Sequence, residues 1–155
     1  MEIRKAKLED LDNLKKLTYD FLNNEKENFE DSYDPSYALT EASSNFIKGR
    51  IEAEKGLVLV AEDEGKLIGF LIGFIGKIPD ARKTMKPAVL DEIFIEKEYR
   101  RQKIGREMLA EFQKWAKRQG ANKLRVSAST KNNAALQAYK NFGFSDFTLK
   151  LEKDI

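Results

Sequence analysis

The chain has 155 residues, 41% of them hydrophobic and ten of them Phe, which predicts one folded domain spanning 1–155 and argues against disorder. It contains neither Cys nor His, which excludes disulfides, thiolate nucleophiles and zinc–thiolate sites, and removes the commonest general base and metal ligand. The net charge of +2 hides an uneven distribution: residues 20–34 hold Asp20, Glu25, Glu27, Glu30, Asp31 and Asp34 against Lys26 alone, whereas residues 97–106 are basic.

No apolar run approaches the ~20 residues of a spanning helix. The first five residues are too charged for a signal peptide, so the expectation is a cytoplasmic protein without a membrane partner. Residues 1–7 alternate weakly from Ile3 and predict a short strand. Asp10 can cap a helix in which Leu11, Leu14, Leu17, Phe21 and Leu22 recur at helical spacing. The polar, acidic stretch 23–37, with Pro35, predicts a loop. Thr40 then stands as the N-cap of a second helix, with Phe46, Ile47 and Ile51 on one face, ending near Gly56.

Two apolar runs, 57–61 and 67–75, flank Asp63-Glu64-Gly65-Lys66 and predict a β-hairpin whose turn uses the positive φ open to Gly65. Gly69, Gly73 and Gly76 would weaken an isolated strand, so they imply bulges or close backbone approach. Residues 88–95 predict a third strand of the same sheet. Ile104, Met108, Phe112 and Trp115 mark the buried face of a helix that ends at Gly120. A strand over 124–129 follows, then a short helix over 132–142 closed by Gly143. Phe147, Leu149 and Leu151 alternate with Thr148, Lys150 and Glu152, a half-exposed final strand. The order βααβββαβαβ predicts an α/β fold: a central twisted mixed sheet of about six strands flanked by four helices. The strand–helix–strand unit over 88–129 predicts a right-handed parallel crossover.

The helix that begins near Ile104 breaks a local rule. A helix N-terminus carries partial positive charge and favours acids, yet Arg100, Arg101, Lys103 and Arg106 surround this one and only Glu107 answers them. Either the segment is a solvated basic loop, or an anion such as a diphosphate sits among the cations and the free N–H groups. No Gly-Lys-Ser/Thr follows, so this is not a nucleotide-hydrolysing P-loop. The chain has no broad basic surface with interleaved aromatics, so no nucleic-acid partner is expected.

Two local patterns now carry a resemblance. Arg100-Arg101-Gln102-Lys103-Ile104-Gly105 follows the strand Ile93-Phe94-Ile95, and Asn132, Ala135, Tyr139, Gly143 and Phe144 follow at Asn-x-x-Ala-x-x-x-Tyr-x-x-x-Gly-Phe spacing. Together with the element order, they resemble the GCN5-related N-acetyltransferase (GNAT) superfamily over essentially the whole chain. One departure stands out: Lys103 occupies the position of the family's first loop glycine, where a Cβ restricts the tight turn.

The resemblance implies an acetyl-CoA-dependent N-acetyltransferase that acts by direct attack of a primary amine in a ternary complex, with no metal. It implies that Arg100, Arg101, Gln102, Lys103, Ile104, Gly105 and Arg106 cradle the pyrophosphate. Ile93, Phe94 and Ile95 would offer backbone groups to the pantetheine arm, which lies like an added strand between this strand and the one after it. Asn132 is the family's side-chain contact to that arm, and an N-cap in its own right. Tyr139 is the family's general acid, while its periodicity alone places it in a core.

With His and Cys absent, Glu92 is the preferred base, and Asp91 or a water chain stands as the alternative. Adjacent strand residues face opposite ways, so at most one of the two carboxylates points inward, and either could instead lie on the solvent face. The acidic segment 20–34 is either a solubilising loop or an attractor for a cationic acceptor, such as a polyamine, an aminoglycoside, a lysine or a peptide N-terminus. A catalytically inactive CoA-binding sensor is the competing reading. The exposed last strand makes a homodimer an expected possibility.

Overall fold

The computed structural model describes residues 1–78, 80–82 and 84–155. Strand β1 (Glu2–Lys5) leads through a 3-10 turn to helix α1 (Leu11–Asn28), and a second 3-10 turn at Pro35–Leu39 precedes α2 (Glu41–Glu52). Strands β2 (Gly56–Asp63), β3 (Lys66–Ile75) and β4 (Pro87–Ile95) follow, then α3 (Ile104–Arg118), β5 (Lys123–Val126) and α4 (Asn133–Phe142). The sheet has the order β1-β2-β3-β4-β5, antiparallel up to β4, with β4 and β5 parallel.

The middle strands read as continuous apolar runs because both of their faces are covered. Along β2, Leu57, Leu59 and Ala61 point to one cluster while Val58 and Val60 point to the other. The first cluster is capped by Ile104, Met108, Phe112 and Trp115 of α3, the face that the sequence spacing marks. The second holds Leu14 and Leu17 of α1 and Ile47 of α2 beneath Phe70, Ile72 and Phe94. Gly73 meets the expectation of close approach: a Cβ there would run into the Phe112 ring and come within 3.0 Å of the Val89 carbonyl oxygen.

The capping expectations hold at three ends. Thr40 accepts from the Ser43 N–H at 3.2 Å, Asn132 accepts from Ala135 at 3.0 Å, and Gly143 ends α4 at φ 109°. The hairpin turn places Glu64 and Gly65 at φ 48° and 80°, as a two-residue turn between right-twisted strands requires.

Four expectations need correction. Asp10 precedes α1 but does not cap it. Its carboxylate accepts from the Lys7 N–H at 2.7 Å and from both Arg4 nitrogens at 2.8 and 2.9 Å, and that hydrogen-bonded pairing with Arg4 lowers its pKa. Helix α1 runs on to Asn28 through a stretch whose acidity suggested a loop; Glu and Lys are good helix formers, and Asn23 bonds Glu27 one turn on. Helix α2 stops at Glu52, and Gly56 instead opens β2. Among the described residues the sheet has five strands where about six were expected: β5 ends at Val126, and the stretch 144–152 is irregular, with no ladder to supply its hydrogen bonds.

Candidate active site

The β3–β4 ladder contains one irregularity. Ile72 faces Glu92 and Gly73 faces Leu90, so Asp91 has no partner across the ladder. A bulge of this kind turns the following side chains to the opposite face. Before it, Ala88 and Leu90 point at α3; after it, Ile93 and Ile95 pack on that cluster, while Phe94 points at α1. Glu92 shares the parity of Phe94 and so faces α1, while Asp91 is exposed.

The pairing of β4 with β5 ends at the same place. Its last registered pair is Leu90 with Val126, and residues 91–95 continue as part of β4 without β5 beside them. The two parallel strands therefore part next to Glu92, and one edge of residues 91–95 offers unpaired backbone groups.

Glu92 is partly buried, and its Oε2 is shut off from solvent with no hydrogen-bond partner among the described residues. Burial, and then the neighbouring Asp91 charge, push the carboxyl up to about 7. Tyr139 of α4 packs on the α3 cluster, with Phe144 edge-on to its ring at 5.6 Å. Burial raises its phenol to about 12, assisted by the Glu25 charge. Tyr33 is raised by burial and then by Glu25, Glu30 and Glu92. The carboxylates of Glu25 and Glu92 and the phenols of Tyr33 and Tyr139 thus belong to one electrostatic neighbourhood.

From the sequence Glu25 stands only as one of the acids of the segment 20–34, with no role of its own. Extending the helical pattern one turn beyond Phe21 would have placed it on the inward face of α1. Burial also lifts its carboxyl above the usual range.

The loop after β4 enters α3 through two left-handed residues, Arg101 at φ 63° and Lys103 at φ 68°. Lys103 adopts the conformation a glycine would take freely, at a cost of roughly 1–2 kcal/mol. It is the N-cap residue of α3, yet its side chain makes no capping bond, so the first N–H groups of the helix are left for a ligand or water. Beside them, a Cβ on Gly105 would meet nothing within 4 Å.

Arg100 points elsewhere. Its Nε donates to the Ile95 carbonyl at 2.9 Å, and its guanidinium lies 5.5 Å from the centre of the Phe94 ring, reaching Asn24 on α1. It lines a hollow of about 310 Å³ with Asp20, Asn24, Glu27 and Glu96. A larger hollow, about 520 Å³, lies along α1 between Tyr19, Glu27, Asp31 and Asp34. Neither is lined by Glu92 or Tyr139. Asn132 spends its side-chain oxygen on the α4 cap, which leaves the amide nitrogen of the same group free to donate.

A model of the acetyltransferase (GNAT) family matches residues 16–144, a span that contains the parted strands, the α3 entry loop and Tyr139. The chain belongs to the GNAT family. It is an acetyl-CoA-dependent N-acetyltransferase. Comparison with curated sequences gives no match.

Among solved structures, a mutant protein from Bacillus halodurans superposes with a TM-score of 0.88 at 16% identity, covering 100% of this chain and 99% of that one. A protein from Clostridium acetobutylicum described as a predicted acetyltransferase with acetyl-CoA gives 0.79 at 20% identity, over 99% and 95% of the two chains. The aminoglycoside antibiotic 6'-N-acetyltransferase AAC(6')-Ih of Acinetobacter baumannii gives 0.74 at 18%, over 99% and 98%. At these identities the likeness is one of fold.

The residues present fit acetyl-CoA, the GNAT co-substrate. The α3 entry offers uncapped N–H groups, an open space over Gly105, and Arg101, Lys103 and Arg106 close by, while the parting of β4 from β5 opens a backbone edge for an extended arm. Among the described residues no cluster of three or more acids could hold a metal, and no helix is long and apolar enough to cross a membrane.

The buried Glu92 has a consequence for stability. Its carboxyl holds its proton to about pH 7 in the folded chain but, at its ordinary value of 4.5, loses it much earlier when unfolded. The folded state therefore binds the extra proton between these values, and stability falls as pH rises through them, by about 1.4 kcal/mol per unit and on the order of 3 kcal/mol in all. Glu92→Gln should be more stable than the parent at pH 8, with the gap closing by pH 4. Denaturant unfolding at pH 4, 6 and 8 measures it, and a gap that does not change with pH would contradict the burial of this charge.

Proposed function

We propose that the chain transfers the acetyl group to a cationic primary amine by direct attack, with amine and acetyl-CoA held together where β4 and β5 part. The observation that carries this reading is Glu92: a carboxylate beside the parted strands, with one oxygen unpartnered and a pKa of about 7. A general base works best when its pKa lies near the operating pH. Here burial has brought an ordinary carboxyl to that value without a histidine.

Acetyl-CoA supplies an activated acyl group as its thioester. The acceptor arrives as an ammonium and must lose a proton before its nitrogen can attack; Glu92 takes that proton, directly or through one water. Tyr139 keeps its own proton at neutral pH, since burial holds the phenol at about 12, and offers it to the leaving sulfur. Because this acid is weak, it acts first as a hydrogen-bond donor and yields its proton only as charge builds up on the sulfur. The Glu96 N–H donates to the Ile68 carbonyl, so by alternation the backbone groups of Phe94 face β3 while those of Ile93 and Ile95 face the parted edge, where they hold the arm and the acyl oxygen. Arg101, Gln102, Lys103, Ile104, Gly105 and Arg106 bind the diphosphate through helix N–H groups and side-chain charge. Arg100 contributes from the α1 side of the loop, and Asn132 through its free amide nitrogen.

The acceptor side is acidic. Glu25, Glu30 and Glu92 act on Tyr33, Glu25 also acts on Tyr139, and Glu27, Asp31 and Asp34 line the hollow along α1 with Lys26 as the cation among them. Such a field favours cations over anions, which points to a polyamine, an aminoglycoside, a lysine side chain or a peptide N-terminus.

Thiol release over a panel of amines tests this reading. Cationic amines should turn over, and activity confined to anionic acceptors would overturn it. Tyr139→Phe should lower kcat about 10²-fold while keeping the thermal shift given by acetyl-CoA; loss of that shift would make the residue structural. Gly105→Leu should fold at least as well as the parent, because leucine is the better helix former by roughly 0.8 kcal/mol and the space is open. The same variant should lose the acetyl-CoA thermal shift, and an undiminished shift would place the diphosphate elsewhere.

A further inference from the structure

The two walls of the candidate site touch at one long-range bond. Lys131, in the loop between β5 and α4, donates its ammonium to the Phe29 carbonyl at 3.1 Å, across 102 positions of sequence. The loop fixes where this side chain starts. The Lys131 N–H donates to the Ser129 hydroxyl at 3.2 Å, and the Asn132 N–H to the Ser129 carbonyl at 2.9 Å. Phe29 is the residue that closes α1. Its N–H and that of Glu30 both turn back to the Glu25 carbonyl, so the last carbonyls of the helix have no backbone donors among the described residues. A helix C-terminus of this kind favours a cation. Here the place is filled, by an ammonium of the chain itself.

The filled place lies beside the reaction centre. Lys131 forms no ion pair with a carboxylate among the described residues. Its charge nevertheless acts on Glu30, whose carboxyl is held below the usual range first by its hydrogen bonds to Ser32 and then by Lys131. Tyr33 links this corner to the buried base. Its N–H donates to the Glu30 carbonyl at 3.4 Å, and beyond the effect of burial its phenol responds to Glu25, Glu30 and Glu92. The end of α1 and Glu92 therefore lie within electrostatic range of one tyrosine side chain. An amine that reacts beside Glu92 and carries a second ammonium a few carbons away would direct that charge toward the end of α1.

We infer that Lys131 is a specificity-determining residue, its ammonium occupying the subsite at the end of α1 that would otherwise hold the second cation of a short diamine acceptor. The tether makes this occupant hard to displace, because a side chain fixed nearby competes at an effective concentration in the millimolar range or above. A diamine that did displace it would bring two ammonium groups together, which opposes binding. The subsite thus counts charge: a short acceptor gains nothing there from a second cation. The inference rests on the acetyl-transfer reading for the place of the reacting amine, and its test is chosen to separate the two.

Calorimetric titration of the CoA-bound protein compares putrescine with butylamine, which share a four-carbon chain and differ in the second ammonium. The parent should bind the two within about threefold of each other. Lys131→Met keeps much of the side-chain length and removes the charge, and it should favour putrescine about tenfold, the effect of one charged hydrogen bond. Lys131→Arg should restore the parent ratio. Lys131→Gln gives the same comparison as the methionine variant if that one folds poorly. Because each ratio is taken on one variant, a general loosening between α1 and α4 weakens both amines and leaves the ratio unmoved. A ratio unchanged in both uncharged variants overturns the inference, as does a tenfold preference for putrescine in the parent or the absence of binding by either amine. Turnover decides the other question separately. The expected change in ratio without thiol release from either amine would leave the subsite standing and remove the acetyl-transfer reading, whereas butylamine turnover with an unchanged ratio would do the reverse.

Discussion

The bulge at Asp91 is the constraint on which the candidate site depends. A strand with unbroken alternation would have carried Glu92 to the α3 face with Ala88 and Leu90, into a cluster of Met108, Phe112 and Leu71 where a carboxyl has nothing to react with. One unpaired residue rotates the strand and sends Glu92 to the α1 face, alongside Phe94. The same point ends the β4–β5 ladder, because two parallel strands stay paired only while their backbones run side by side. Gly73 permits the distortion: at the shifted register the backbone of β3 lies against Phe112 and Val89, where any larger residue would push the strands apart. A single irregularity therefore aims the buried carboxyl and opens the edge beside it.

The loop into α3 is a second place where the chain sets local preference aside. Two non-glycine residues, Arg101 and Lys103, hold left-handed backbone within three positions, and the helix that follows starts with cations and without a cap. Taken alone these features oppose folding. On the proposed reading they become coherent, since a diphosphate bound there would satisfy the N–H groups and the charge together. A glycine at 103 would make the turn without strain. Lysine there makes the same turn and places one more cation at the helix start.

Much of this was legible in the sequence because it depends on local chemistry. Thr40, Asn132 and Gly143 act at helix ends where one side chain or one φ value decides the outcome, and the α3 face follows from spacing alone. The misreadings arose where distant partners decide. Asp10 has the residue type of a cap, but Arg4 and the Lys7 N–H claim its carboxylate. Residues 23–28 looked too polar and acidic for a helix, although their propensity is good and the spacing from Phe21 already put Glu25 on the inward face. Asp91-Glu92 themselves gave no sign of a bulge; the sign lay across the ladder in Gly73, at which the register shifts. The alternation over 147–151 has the spacing of a strand, but no ladder receives it, and spacing alone does not supply one.

The extension of α1 matters most for the acceptor side. Had residues 23–28 been a loop, their acids would move freely and an incoming cation would bear the cost of ordering them. On a helix, Asp20, Asn24 and Glu27 hold fixed positions along the hollows, and Glu25 is fixed on the inward side. The far end of α1 is held as well: Lys131, one residue before Asn132, donates its ammonium to the Phe29 carbonyl at 3.1 Å, the favourable placement of a cation at a helix C-terminus. The wall that carries the carboxylates is thus fastened to the loop that leads into α4 and Tyr139. On the proposed reading this bond fixes the spacing between Glu25 and the phenol it acts upon, so that the acidic field and the proton donor stay in register while the amine is exchanged.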